Sequence, residues 1–266
     1  MTWPLTFCTL DRSPLFGIDE SLADQARAAG AAGFTHLTPD VFSLRAFAAS
    51  GGSFPALAAD IASAGVQVFD ISGINIGPDV DASISEAHEL GAMAEALGAR
   101  WIQSRVTQDD EDVRNTYREC AAIIAGHGAG IALEFSPFTP ICSVARAREF
   151  VHAVLDGSPR QGVVVDTWHL DRGGDGLAGL AALPLAELAY VQMSDALPVS
   201  DDLRADTMNR RAEPGAGELD LRRVVAALRA AAYDQPIAIE VLSAQLRTLP
   251  LDDYARRLHR ATLSVL

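Results

Sequence analysis

The sequence predicts a (β/α)8 barrel, an α/β fold of parallel strands, and three observations carry that expectation. Short β-rich apolar runs alternate with Ala- and Leu-rich helical stretches along the chain. No Pro/Gly/Ser-rich linker interrupts them, so residues 1–266 read as a single domain. The last four of eight such runs end on a polar residue, the position where a barrel of this class carries its chemistry. Repeated strand–helix units imply a parallel sheet, and eight of them imply closure. The alternative, a doubly wound open sheet, is disfavoured because no Gly-x-Gly-x-x-Gly follows the first run.

The first run is Leu5–Leu10, followed by a helix opened by Asp19 or Ser21 and closed near Gly33. Phe34–Thr38 is the second, with a helix over Phe54–Ala64. Val66–Ser72 is the third, with a helix from about Ala82 to Leu97 that stops at Gly98. Arg100–Ser104 is the fourth, with a helix from about Asp110 to Ala125. The remaining runs are Ile131–Ser136, Val163–Asp166, Ala189–Asp195 and Ile237–Val241. Helical stretches follow them at Ser143–Leu155, weakly at Leu177–Leu183, at Leu219–Ala231 and at Asp252–Leu263.

Composition excludes several function classes. A net charge of −14 argues against nucleic-acid binding, which needs a basic stripe to neutralise phosphates. No apolar run approaches the ~20 residues that span a bilayer, so no membrane partner is expected. The start of the chain lacks the basic and apolar regions of a signal peptide, and the expected location is cytoplasmic. Three widely spaced cysteines, Cys8, Cys120 and Cys142, do not form a disulfide framework or a Cys-rich zinc site. All 21 basic residues are arginine, which excludes Schiff-base chemistry on a lysine, a PLP anchor and a Walker lysine.

The polar strand ends are Glu134, Asp166, Gln192 and Glu240. A carboxylate that follows three apolar residues is costly unless something pairs with it. The two readings are ion pairs with arginines and convergence on one cation. For either glutamate alone they stand level; for four strand ends in succession the cation reading is ahead. The donors are all oxygens, which suits one hard divalent ion, Mg2+ or Mn2+, with Zn2+ or Co2+ less favoured. His169, three residues after Asp166, is a candidate for contact with substrate hydroxyls. Arg211, beside Arg210 in the turn-rich stretch Asn209–Glu218, is a candidate anion or hydroxyl clamp. Trp168 and Gln103 complete the substrate-binding candidates, Trp168 having a core position as its other reading. Asp195 reads as a supporting partner or a helix cap. The remaining histidines, His36, His88, His127, His152 and His259, read as structural or solvated.

The glutamate of the fifth run, Asp166-Thr-Trp-His169, Val191-Gln-Met-Ser-Asp195, the Arg-x-x-Pro-Gly-x-Gly loop at Arg211 and the glutamate of the eighth run together resemble the xylose isomerase-like TIM barrel superfamily. The likeness to its sugar phosphate isomerase/epimerase members runs over nearly the whole chain. It implies one divalent ion held by Glu134, Asp166, Gln192 and Glu240, with the two glutamates as acid and base. Ketose epimerases of that superfamily usually carry His where this chain has Gln192. Gln there resembles hydroxypyruvate isomerases and 3-dehydroshikimate dehydratases. The expected activity is therefore metal-dependent isomerisation or epimerisation of a keto sugar or sugar phosphate through an enediolate, with Glu134, Glu240 and His169 as catalytic residues. A dehydratase of the 3-dehydroshikimate type, acting on a keto acid, is the alternative. Two further readings are a non-catalytic sugar- or metal-binding barrel and an endonuclease of the related AP-endonuclease branch. The latter uses more His ligands and a basic groove, and this acidic chain lacks both. Specificity is expected in the loops near Asp11, Asp40, Asn75 and Arg105, and a homodimer is the default assembly.

Overall fold

Helices begin where the sequence sets a small polar residue ahead of an apolar stretch. Ser21 accepts a hydrogen bond from the Asp24 amide, Asp40 from Ser43, Ser53 from Ala56, Asp79 from Ala82 and Asp110 from Val113. Each such cap satisfies an amide that the helix itself leaves unpaired and contributes about 1 kcal/mol. The computed structural model describes residues 3–155 and 160–266.

The strands, in chain order, are β1 (Leu5–Cys8), β2 (His36–Thr38), β3 (Gln67–Val68), β4 (Asp70–Ile76), β5 (Trp101–Val106) and β6 (Gly130–Glu134). They continue with β7 (Gln161–Asp166), β8 (Leu188–Met193), β9 (Asp195–Ala196), β10 (Arg211–Ala212) and β11 (Ile237–Ile239). Helices lie between most of them, among them Leu22–Ala32, Val80–Leu97, Glu111–Gly126, Val144–Leu155, Leu221–Ala230 and Leu251–Val265. By its contacts the chain divides into two units. One is drawn from Met1–Val68, Asp166–Trp168 and Val191–Leu266, the other from Phe69–Val165 and His169–Tyr190.

In the first unit, parallel pairing runs in the order β3, β2, β1, β11, β8. Outward-facing Phe7 of β1 packs edge-on against Phe34 and Tyr254, with ring centroids 5.4 and 5.9 Å apart, so the strand is clamped beneath the C-terminal helix Leu251–Val265. In the second unit the parallel order is β7, β6, β5, β4. Tyr117 and Phe150 stack edge-on at 5.1 Å between the helices that follow β5 and β6. Cys120 lies fully buried on the same helix as Tyr117, and burial pushes its thiol up to about 12, which keeps it inert. Gly73, at φ +140°, accommodates the shift of register between β4 and β5, a conformation side chains with a Cβ rarely adopt.

Several local expectations change. Of the two expected caps of the first helix it is Ser21 that opens it, its hydroxyl accepting from the Asp24 amide and donating to the Asp24 carboxylate, and Asp19 stays outside. The third apolar run splits into β3 and the longer β4, which extends to Ile76. A helix over Val41–Ala49, capped by Asp40, was not foreseen; it is a short stretch with only Val41, Ser43 and Leu44 buried, too little for a clear helical period. Chain turns helical at Thr167–Arg172 directly after β7, so His169 sits on a helical turn rather than in a loop.

Candidate metal centre

In the first unit, Asp166 ends β7, Gln192 lies in β8 and Glu240 follows β11; all three are buried. The register pairs Ala238 with Gln192, and the Glu240 amide donates to the Met193 carbonyl at 3.2 Å, which extends the ladder by one residue and fixes the glutamate. Gln192 Nε2 donates to Glu240 Oε1 at 3.3 Å. Arg211, only 2% exposed, sends Nη1 to Asp166 Oδ2 at 2.7 Å and to Glu240 Oε2 at 3.2 Å. Its Nε and Nη2 donate to the Thr207 carbonyl and hydroxyl, each at 3.0 Å, and its Cζ stands 5.5 Å from the centre of the Trp168 ring. The guanidinium is therefore a counter-ion of two strand-end carboxylates, and Trp168 is a buried platform beneath it.

The loop that delivers Arg211 is built around Asp195. Its Oδ1 accepts from the Ala196 and Leu219 amides at 2.8 and 2.9 Å, and its Oδ2 accepts from the Gly215 amide at 3.0 Å. A Cβ at Gly217 would lie 2.4 Å from Asp195 Oδ1 and 2.3 Å from the Ala196 carbonyl, so the turn closes only around a glycine. β10 pairs antiparallel with β9, which places Arg211 opposite Ala196. Arg210, its neighbour, turns away to Asp206 at 2.9 Å.

In the second unit, Glu134 ends β6 and is 1% exposed. Its Oε2 accepts from Arg105 Nε, at the end of β5. Its Oε1 is buried and accepts no hydrogen bond among the described residues; His169 Nε2 stands 3.8 Å from it. His169 is itself buried, and its carbonyl accepts from the Gly173 amide. Gln103, two residues before Arg105 on β5, is buried opposite Ala132. Of the other histidines, His127 pairs with Glu95 at 2.7 Å, His152 with Glu187 at 3.2 Å, and His259 packs on Phe34. Burial lowers the pKa of His36 and of His259.

Within the second unit, Glu134 and His169 are buried donors of the kinds that hold a metal ion, and in the first unit Asp166 is a third of that kind. The orphaned Glu134 oxygen is the observation that tests the fit. A buried acceptor left unsatisfied costs about 1–3 kcal/mol, and more when charged, whereas a bound cation satisfies it. Pairing of the two glutamates with arginines, one of the two readings the sequence allows, is present; the sequence did not identify which arginines, since Arg105 stands in a loop expected to set specificity and nothing in the spacing ties Arg211 to Asp166 and Glu240. A positional signal exists for Arg105, which falls at the end of its strand as the acidic residues do on theirs.

The chain matches the xylose isomerase-like TIM barrel family over residues 23–263. It belongs to that family. Two curated relatives, the 3-dehydroshikimate dehydratases of Pseudomonas putida and Pseudomonas aeruginosa, are 31% identical over 93 residues and 33% identical over 90. These matches cover 35% and 34% of this chain, and only 14% of the length of either dehydratase. Among solved structures, the IolI protein with its zinc atom is 17% identical, with a TM-score of 0.85 and coverage of 98% of this chain and 97% of that one. An L-ribulose 3-epimerase is 17% identical, with a TM-score of 0.73 and coverage of 99% and 96%. At such identities the likeness is one of fold, the (β/α)8 TIM barrel that the strand–helix repeat predicts. The family's members include isomerases, epimerases and a dehydratase, so the coarse class of this family is enzymatic.

Proposed function

We propose that the chain is a divalent-metal-dependent isomerase or epimerase of a keto sugar or sugar phosphate, acting by proton transfer next to a carbonyl. The observation that carries this reading is the unpartnered Oε1 of Glu134, a buried carboxylate oxygen beside an imidazole. The proposal takes the whole chain as one barrel domain, because in this fold class the C-terminal strand ends share one mouth. On that basis Glu134, Asp166, Gln192 and Glu240 would hold the ion, Mg2+ or Mn2+, with His169 as an alternative donor. A divalent ion there would supply Lewis acidity to the substrate carbonyl and favour the enediolate.

The protein's own groups do the rest. Arg105 holds Oε2 of Glu134 and so fixes the orientation of the carboxylate, which takes the proton from the carbon next to the carbonyl. Glu240, steadied by Gln192 on one oxygen and Arg211 on the other, gives a proton taken up from solvent to the neighbouring carbon or to the opposite face, and Glu134 releases the abstracted proton to solvent after turnover. Return to the neighbouring carbon, with the hydroxyl proton passing to the former carbonyl oxygen, moves the carbonyl; return to the opposite face inverts a centre. His169 holds a substrate hydroxyl and sets which carbon is presented. Buried side chains around the site exclude water and protect the enediolate from indiscriminate protonation.

A second reading is favoured by the two dehydratase matches. In it the same C–H bond breaks, His169 protonates a β-hydroxyl, the C–O bond breaks, and water leaves as the C=C bond forms. Incubation of the Mn2+-loaded protein with keto sugars and polyhydroxy keto acids in D2O tests both. Deuterium uptake by NMR without loss of water supports isomerisation or epimerisation; an ultraviolet-absorbing enone or aromatic product supports dehydration. Metal uptake with neither outcome across the panel overturns both in favour of a binding barrel.

A further inference from the structure

Arg211 sits in a two-residue strand, and a ribbon of that length does not hold a side chain in place by its own pairing. The backbone around it leans on the segment after β11. Arg211 N donates to the Leu242 carbonyl at 3.0 Å, Ala244 N donates to the Asn209 carbonyl at 2.9 Å, and Arg210 bridges Ser243. One further side chain crosses this junction. Arg247 sends Nη1 to Asn209 Oδ1 at 2.9 Å, Nη2 to the Met208 carbonyl and Nε to Asp11 Oδ1 at 2.6 Å. The same Asp11 oxygen accepts from the Ser243 amide at 2.9 Å. Asp11 is 1% exposed, so this residue after β1, near which specificity was expected, is a buried anchor. Arg12 fastens the far side, donating through Nη1 to the Arg247 carbonyl at 2.6 Å while its other nitrogens hold Glu20.

We propose that Asp11 and Arg247 are a positioning pair for Arg211: they fix Met208–Arg211 against Leu242–Ala244 so that the Arg211 guanidinium rests on Asp166 and Glu240. Two segments distant in sequence, Asp11 and Met208–Asn209, meet on the Arg247 guanidinium fork, which a point charge on a flexible stem could not replace. Asp11 sets the fork's orientation and pins the partner segment with the same oxygen. The bonds of Asp11 and Arg247 run to Ser243, Asn209 and Met208, and the effect on Asp166 and Glu240 passes through Arg211. The inference rests on the metal reading only for its metal readout, since the position of Arg211 is observable without any ion.

The test uses the full chain and Asp11→Ala, Asp11→Asn, Arg247→Gln and Arg211→Ala. In metal-free protein, the 15N–1H resonance of Arg211 Nε, identified by its loss in Arg211→Ala, reports the bond to Thr207. Asp11→Ala and Arg247→Gln are expected to shift or broaden it, while Asp11→Asn, which keeps the acceptor oxygen, leaves it close to wild type. Mn2+ titration of the same samples should show affinity altered about fivefold or more, in the direction Arg211→Ala produces. In the Arg211→Ala background, Asp11→Ala should add no further change in Mn2+ affinity. An unperturbed Arg211 resonance accompanied by a lower Tm overturns the proposal and leaves the pair a fold-stabilising contact. Additive effects on Mn2+ affinity overturn it as well. Absence of Mn2+ binding to the wild type sinks the metal reading alone, and the resonance then decides the positioning role.

Discussion

Glu134 and Glu240 are the same residue type at the same point of the strand–helix repeat, yet their surroundings differ. Glu240 has both oxygens engaged, Oε1 by Gln192 and Oε2 by Arg211. Glu134 has one oxygen tied to Arg105 and the other buried without a hydrogen bond. A carboxylate satisfied on both sides is a fixed charge, suited to hold a ligand or to pass on a proton that an adjacent group controls. One with an orphaned oxygen carries an unmet electrostatic demand, which a cation or a substrate proton meets. Placement in the repeat makes both residues candidates; the neighbours supplied by other strands divide the roles.

The largest effect should come from removing the orphaned oxygen. Glu134→Gln is expected to lower kcat by about 10^2–10^4-fold, the range of a positioned general base, on whichever substrate the panel identifies. Glu240→Gln should cost less, because Gln192 and Arg211 still orient the side chain. Steady-state kinetics on both variants checks this, and equal losses would erase the distinction between the two glutamates.

Arg211→Ala attacks the satisfied side of the comparison. It leaves Asp166 and Glu240 buried without their cation, which should destabilise the metal-free protein by about 3–5 kcal/mol, or roughly 10 °C in Tm for a chain of this size. The same vacancy makes the site more negative, so Mn2+ should bind about tenfold more tightly. Thermal melts with and without Mn2+ are the measurement. The ion should restore more of Tm in the variant than it adds to the wild type. Unchanged Mn2+ affinity would mean that the ion does not bind beside these two carboxylates.

His169→Ala probes the orphaned side more gently. With Nε2 at 3.8 Å from Glu134 Oε1, the imidazole can serve substrate or metal, and the two uses separate by measurement. Loss of turnover by about 10- to 100-fold with Mn2+ affinity held supports the substrate role. Parallel loss of both would make His169 a metal donor rather than a substrate contact.

The fold was legible because it rests on local signals. Ser21, Asp79 and Asp110 each precede an apolar-periodic stretch, and helix starts follow from them. Runs such as Val163–Asp166 and Ile237–Ile239 are too short and too β-branched for helices. The strand-end carboxylates were legible for the same reason: Glu134 and Asp166 stand out against the apolar residues before them. That arginines could pair with the glutamates was legible; which arginines do so was not. Arg105 meets Glu134 across 29 positions, Arg211 meets Asp166 across 45, and Arg247 meets Asp11 across 236. A guanidinium on a long side chain reaches whichever acceptor the packing brings near, and spacing along the chain carries no record of it. Glu134 and Glu240 therefore look alike in the sequence and become different only once the arginines are placed.

Asp11 gives the smallest and most specific test of how a buried carboxylate is balanced. Burial pushes its carboxyl up to about 7, against the opposing pull of Arg247 and the bonds from Arg247 and Ser243. An exposed aspartate in the unfolded chain titrates near 3.8. Between those two values the folded protein holds a proton that the unfolded chain does not. Stability from this group is therefore fully present below about 3.8 and is lost as the pH rises through about 7. The wild type should gain Tm as pH falls from 8 to 5, over and above the contribution of other groups. Asp11→Asn, which cannot titrate and keeps an acceptor for Arg247 and Ser243, should flatten that part of the profile. Melts at half-unit steps of pH on both proteins measure the difference. Parallel profiles would mean that the Arg247 guanidinium outweighs burial and keeps Asp11 charged throughout, which would place it with Glu240 among the satisfied carboxylates.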